Sequence, residues 1–154
     1  MELGDLLTPD AVVPALKASN KKQALQALSD RAAKLSRLQS RDVYEALQQR
    51  ELLGSTGVGR GIAIPHGRLP FLQKIFCVFA RLEHPIDFEA PDEEPVDLVF
   101  LLLAPEHAGA DHLKALARIS RLLREPQSIE KLRTAPDRTS LYALLTAPSA
   151  VAAA

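Results

Sequence analysis

The sequence predicts a layered α/β domain. Two continuous apolar runs, Ile75 to Leu82 and Val96 to Leu103, carry the first observation. Both are rich in branched or aromatic residues and read as strands covered on both faces. The second observation is helical periodicity on either side of them. Leu25, Leu28, Ala32, Leu35 and Leu38 recur at helical spacing, as do Leu113, Leu116, Ile119, Leu122 and Leu123. Helices flanking buried strands pack as layers. The third is composition: 154 residues, 47% apolar and 25% charged, fit one globular domain with a real core. Pattern alone leaves the strand order open.

Charge and cysteine content narrow the function classes. Lys+Arg and Asp+Glu both number 19, so no net charge draws the chain to nucleic acid or an anionic membrane. The single Cys77 lies in the apolar run IFCVFA, has no disulfide partner in the chain and reads as a small core residue. Glu2 and Asp5 interrupt any signal peptide, and the apolar run Val96 to Ala104 contains Asp97 and is too short to span a bilayer. No membrane insertion is expected, and a reducing cytoplasm is the expected location.

Taken in order, Leu3 to Leu7 predicts a helical turn and Thr8-Pro9-Asp10 a chain reversal. Ala11 to Leu16 reads as a strand, and Pro14 within it places that strand at an edge. Asn20 caps the first helix, with Gln23 in capping-box position. Ser40 caps the next, Asp42 sits in its first turn, and Val43 and Leu47 form its apolar side until it ends near Leu53. Ile62 to Pro65 reads as a short strand. An acidic loop from Pro85 to Glu94 separates the two buried strands, and another loop runs from Pro105 to Ala110. Asp111 caps a helix to about Arg124, which Pro126 stops. Short helices follow near Ser128–Arg133 and Asp137–Leu145, and the small-residue tail frays.

The chemistry concentrates in Gly54 to Gly67, GSTGVGRGIAIPHG. Its glycines permit backbone conformations closed to other residues and let a partner come close. Proline pushes its predecessor towards an extended conformation. The expected local structure is a glycine-rich loop, a short strand, and His66 at the strand's end between Pro65 and Gly67. From the residues alone two accounts of His66 stand. In one it merely ends a strand and bonds to backbone. In the other it is a nucleophile: a neutral imidazole, with a reference pKa of about 6.5, has a bare ring nitrogen at cellular pH. The second account needs the other nitrogen held as a donor, for instance by a backbone carbonyl.

From Arg50-Glu51 through GSTGVGRGIAIPHG the chain resembles the active-site segment of phosphotransferase-system (PTS) enzyme IIA proteins of the mannitol–fructose class. Within that class it is most similar to the nitrogen-type, regulatory IIA proteins. The resemblance continues in RLEHPIDFEAPDEEPVDLVFLLLAPE and ADHLKALARISRLL, so it covers nearly the whole chain. It implies an EIIA type-2 domain over residues 1–147, with 148–154 as an Ala-rich tail. It also implies a mixed sheet of about five strands between helices, the mannitol-type fold. His66 is then the phosphoryl acceptor, through an outward Nε2, from an HPr-like carrier (NPr). Arg50 matches the family's arginine before the glycine segment, and its guanidinium offers forked donors to phosphoryl oxygens. His112 matches a second active-site histidine at a helix start, a place that favours anions. The implied role is regulation of transporters or sensor kinases according to phosphorylation state. A sugar-specific IIA that hands phosphate to a IIB domain is the alternative, and the absence of an attached IIB-like or membrane segment leans against it. A pure interaction module is a further reading.

Other residues carry less. Ser55 and Thr56 either bond phosphate or close the loop, with the loop role favoured, and Gly67 leaves room for the partner. Arg60 is at most a docking residue, and His84 and His107 read as surface loop residues. Ile62 and Ile64 read as core, whereas Leu69 and Phe71 are candidates for an apolar docking rim. The glycine run is neither a Walker loop, since Ile62 follows Gly61, nor a dinucleotide fingerprint, since a strand follows it. One cysteine, with His107 and His112 five residues apart, makes zinc a poor fit, and a metal-dependent hydrolase on His66, His112 and Asp111 is the weakest alternative. No cofactor is expected.

Overall fold

The computed structural model describes residues 2–147; the tail assigned to 148–154 lies outside them. After two 3-10 turns the chain forms β1 (Val12–Leu16), α1 (Lys21–Ser36) and α2 (Ser40–Leu52). Next come β2 (Gly57–Gly59), β3 (Ile62–Ala63), β4 (His66–Leu69), β5 (Phe76–Ile86) and β6 (Val96–Pro105). Helices α3 (Ala110–Arg124), α4 (Pro126–Thr134) and α5 (Arg138–Thr146) close the domain.

The expected mixed sheet between helices is present, with six strands. Its order is β1-β5-β6-β3-β2, and β4 also pairs with β6. The hub is β6, apolar throughout except Asp97, and Leu98 to Leu103 are fully buried. It runs antiparallel to β5 and parallel to β3 and β4. Helices α1 and α2 pack together, on β5 and β4 respectively, while α3 lies on β6 and α5 on β1. The sheet is thus covered on both faces, which a run such as VFLLLA requires. Pro14 does sit on an edge strand, where its missing N–H costs nothing.

Several boundaries differ from the sequence reading, each for a local reason. The α1 ladder stops at Ser36 because Arg37 adopts a left-handed conformation, so Leu38 packs on the core from beyond the helix. Asn20 caps α1 as expected, its side chain accepting from the Gln23 N–H at 2.8 Å. Ser40 is not a cap: its hydroxyl donates to Asp30 of the previous helix, and Gln39 holds the cap position. Likewise Gly109, with φ of 51°, precedes α3, which puts Asp111 inside the first turn. Leu113 points outward, 67% exposed, although its spacing fits the apolar stripe. Pro126 ends α3 by starting α4, at a first-turn position where its missing N–H is harmless. Strand β5 extends through His84 to Ile86, so the acidic stretch begins later and folds inward at Phe88 and Ala90.

The glycine segment is a hairpin. Strands β2 and β3 pair antiparallel across a two-residue turn, Arg60-Gly61, with φ of 60° and 78°. Both central residues of such a turn must be left-handed, the condition of the favoured hairpin turns. Arg133 and Asp97 close over it. A Cβ on Gly61 would stand 3.0 Å from the Asp97 carboxylate and closer still to the Arg133 guanidinium. Gly61→Ala should therefore lose on the order of 1–2 kcal/mol from its φ alone, and more from the clash. Urea unfolding checks this; an unchanged midpoint would mean that the hairpin relaxes freely.

Candidate functional site

The site is assembled where α2, β4 and α3 meet. Pro65 has no N–H, and the Ile64 N–H turns away to the Thr56 carbonyl at 2.9 Å. The pairing along β6 is interrupted there: β3 pairs with Leu98 and Val99, and β4 resumes at His66 opposite Leu102. His66 consequently opens a strand instead of ending one. The Thr56 N–H facing the Ile64 carbonyl goes to Glu51, and that carbonyl lies 2.8 Å from His66 Nδ1.

Arg50 reaches His66 from the last turn of α2. Its Nε donates to His66 Nε2 at 3.2 Å, and its Nη1 donates to the Gly54 carbonyl at 2.9 Å. A guanidinium can only donate, so Nε2 carries the lone pair and Nδ1 the proton. The half-buried His66 ring is thus set as the tautomer that keeps Nε2 bare.

His112 lies against it. The two rings meet edge to face, centroids 5.6 Å apart and planes at 76°. His112 is 6% exposed, and its Nδ1 accepts from Arg68 Nε at 3.2 Å. Its Nε2 is buried without a hydrogen-bond partner among the described residues. Burial first, then the neighbouring His66 and Arg68, hold the His112 imidazole below the ordinary histidine pKa. Neither Arg50 nor Arg68 makes an ion pair among the described residues. Two unpaired guanidiniums and two neutral rings converge on one spot, an arrangement suited to a multiply charged anion.

The carboxylate beside this cluster is otherwise engaged. Glu51 accepts from the Thr56 N–H at 3.1 Å and from the Thr56 hydroxyl, and pairs with Lys21 at 2.7 Å. The Ser55 hydroxyl donates to the Phe88 carbonyl at 2.6 Å and accepts from the Gly57 N–H at 3.0 Å. Ser55 and Thr56 therefore serve the loop, the favoured of their two readings. Gly67 does not open a space for a partner: a Cβ there would sit 3.3 Å from Ala46 Cβ, so its bareness lets β4 seat against α2.

Of the sequence-derived candidates, His66, Arg50 and His112 come together. Arg60 does not join them; its N–H donates to Asp92 and its guanidinium approaches the Arg124 carbonyl. His107 is exposed in a turn, and His84 is exposed but within β5, not in a loop. Leu69 is buried with Ile62 and Ile64, leaving only Phe71 of that rim in solvent. The exposed leucines at the site are others: Leu52 and Leu53 follow Arg50 in the chain, and Leu113 follows His112. Arg68 was missed. The strand read there ends at Pro65, so no local signal marks Arg68. Among the described residues no group of three or more His, Cys, Asp or Glu is placed to hold a metal ion, and no helix is long and apolar enough to cross a membrane.

The fold is that of a phosphotransferase-system IIA component. The model of the family described as "Phosphoenolpyruvate-dependent sugar phosphotransferase system, EIIA 2" matches residues 5–147, and the chain belongs to that family. The nitrogen regulatory protein of Bradyrhizobium diazoefficiens is 60% identical over 153 residues, covering 99% of this chain and 100% of that one. Its counterpart in Escherichia coli is 38% identical over 147 residues, covering 95% and 90%. Among solved structures, nitrogen regulatory protein IIA-Ntr from Neisseria meningitidis matches with a TM-score of 0.89 and 35% identity, over 94% of this chain and 99% of that one.

The lowered pKa of His112 has a consequence for stability. An unfolded histidine takes up a proton near about pH 6.5, whereas the folded ring resists it to lower pH. The unfolded state then binds more protons, so stability rises with pH across that window. The contribution is complete above the unfolded value and is lost as pH falls through the folded one. Denaturant unfolding of wild type should weaken more between about pH 7.5 and about pH 5 than unfolding of His112→Gln. Equal slopes in the two proteins would show that His112 is not the group responsible.

Proposed function

We propose that this chain is a phosphocarrier of a nitrogen-type phosphotransferase system. It accepts a phosphoryl group from an HPr-like carrier, NPr, onto Nε2 of His66, and its phosphorylation state then controls regulatory targets such as transporters or sensor kinases. The observation that carries this reading is the opposite occupation of the two His66 nitrogens. Nδ1 is tied to the Ile64 carbonyl at 2.8 Å, while Nε2 is bare and held towards Arg50 at 3.2 Å.

The chemistry follows from that arrangement. The bare Nε2 pair attacks phosphorus in line as the donor's nitrogen–phosphorus bond breaks, and the donor imidazole leaves with that electron pair. The Nδ1 proton stays on His66, shared with the Ile64 carbonyl, so no general base is needed at Nε2. Exchange between two histidines is nearly isoenergetic, which leaves positioning and charge stabilisation as the protein's task. Arg50 supplies charge-assisted donors to the phosphoryl oxygens, and the Nε2–H of His112 adds a neutral donor. Exposed Leu52, Leu53 and Leu113 support docking of a partner beside these residues. The 60% identity to a nitrogen regulatory protein supports the regulatory half.

Incubation with enzyme I, phosphoenolpyruvate and an NPr-like carrier tests the reading. Wild type should be labelled on a single histidine, and His66→Ala should fold and take no label. Full labelling of that variant would remove His66 from the role. Arg50→Ala should still be labelled, but at a rate lower by about ten- to a hundredfold, the effect of one charge-assisted bond worth about 1.5–3 kcal/mol in the transition state. An unchanged rate would return Arg50 to a helix-end cation bonded to Gly54.

A further inference from the structure

The two adjoining histidines have complementary proton arrangements, and a different arginine sets each one. On His66, Arg50 Nε covers Nε2 and the proton lies on Nδ1 against the Ile64 carbonyl. On His112, Arg68 Nε covers Nδ1 at 3.2 Å. Arginine has no acceptor, so Nδ1 of His112 must be the bare nitrogen and Nε2 must carry the hydrogen. Low pKa keeps that ring neutral, with a single proton to place. The Nε2–H is the buried group left without a partner, on a residue 94% removed from solvent by its 6% exposure. An unpartnered buried donor is costly unless something is meant to occupy it.

We propose that Arg68 is a positioning residue that fixes His112 as its Nε2–H tautomer, so that His112 presents a donor and not a lone pair beside His66. The functional half of this inference rests on the phosphocarrier reading above, while the proton placement rests on geometry alone. The fold explains why Arg68 has this reach. His66 and Arg68 are alternate residues of β4, opposite Leu102 and Ala104 of β6. Strand β6 ends at Pro105, and the following turn brings the start of α3 back over that end of the sheet. Arg68 is itself exposed and makes no other hydrogen bond among the described residues. Its one engagement is with His112.

The consequence concerns which side of His112 meets an anion. With Nε2 protonated, the ring offers an N–H to an incoming phosphoryl oxygen. In the opposite tautomer Nε2 carries a lone pair and repels that oxygen. Donor orientation of this kind acts only if the hydrogen is already in place, since it must not be rearranged during transfer. His112 also gains no nucleophilic nitrogen from this arrangement: Nδ1 is covered by a cation and Nε2 is protonated. Label is thereby directed to His66.

The experiment reads the ring states directly. Protein with 15N-labelled histidine is studied at about pH 8, above the ordinary histidine value. Two-bond proton–nitrogen correlations then show which nitrogen of each ring is bare, with His112 assigned by its loss in His112→Gln. Wild type should show His112 bare at Nδ1 and His66 bare at Nε2. In Arg68→Met, which keeps the stem and removes the donor, the His112 pattern should move to the Nδ1–H tautomer or to a mixture. Phosphoryl transfer from the NPr-like donor should fall about tenfold with it, as for loss of one oriented donor. Arg68→Lys, which retains a cationic donor, should keep the wild-type pattern and most of the rate. A wild-type His112 pattern in Arg68→Met overturns the inference, and a shifted pattern with an unchanged rate overturns its functional half. Failure of wild type to take label at all would instead strike the phosphocarrier reading, because the ring states are measured without phosphate.

Discussion

The pairing of Ile64 at the end of the glycine hairpin is the constraint on which the site depends. Gly57 stands opposite Ala63, so Thr56 stands opposite Ile64, and the Ile64 N–H and carbonyl face β2, not β6. Proline has no N–H, so the ladder cannot pass through it unchanged. Ile64 donates to Thr56 across the hairpin at 2.9 Å, and the Pro65 carbonyl accepts from Leu102 at 2.9 Å to restart pairing. The Thr56 N–H goes to Glu51, which leaves the Ile64 carbonyl to His66 Nδ1. Tautomer, ring orientation and the bare Nε2 all follow from that pairing. The hairpin is held in turn by Glu51, whose carboxylate meets Thr56 and Lys21 together. One residue of α2 thus anchors the hairpin while its neighbour, Arg50, reaches the histidine.

The layers of the fold were legible because they rest on long-range hydrophobic pattern. A run such as VDLVFLLLA cannot be covered on one face only, and the Leu25-to-Leu35 spacing commits α1 to one side of the sheet. Helix ends were read less well because caps compete over one or two residues. Ser40 has the right chemistry for a cap, yet Asp30 of the preceding helix takes its hydroxyl. Leu113 fits the periodic stripe, but α3 turns that position to solvent. Three of the residues that converge here, His66, Arg50 and His112, were legible as a motif, whereas Arg68 was not. Nothing in its local sequence marks it, and its meaning arises only when α3 returns beside β4. Gly67 was assigned to the wrong neighbour for the same reason. Its close contact is Ala46 of α2, a distant residue in the chain.

The glycines also turn out to have a different use from the one their density suggests. A glycine-rich loop before a helix can cradle phosphate with its backbone N–H groups. Here the N–H groups of Thr56, Gly57 and Arg60 are bonded to Glu51, Ser55 and Asp92. Positive φ at Arg60 and Gly61 makes a tight reversal instead of an anion nest. The donors left open around His66 are therefore side chains, not loop N–H groups.

Charge accounting shows why side chains suit the proposed chemistry. Transfer of a phosphoryl group, formally PO3−, onto a neutral ring that keeps its Nδ1 proton lowers the charge of the site by about one. The cluster offers two guanidiniums without carboxylate partners, and both rings are neutral before transfer. Had Glu51 been free to pair with Arg50, one of those cations would already be neutralised. Its carboxylate is 6% exposed and is matched by Lys21 and the Thr56 N–H, so its charge is satisfied away from His66. The phosphorylated site therefore carries about one positive charge fewer than the unmodified one. A surface that took in the exposed Leu52, Leu53 and Leu113, chain neighbours of Arg50 and His112, as an apolar rim would then change in charge between the two states. Desolvating an unpaired charge costs several kcal/mol on the order of a whole binding increment. A partner that buries this rim can thus distinguish the two states by electrostatics alone, with no movement of the fold.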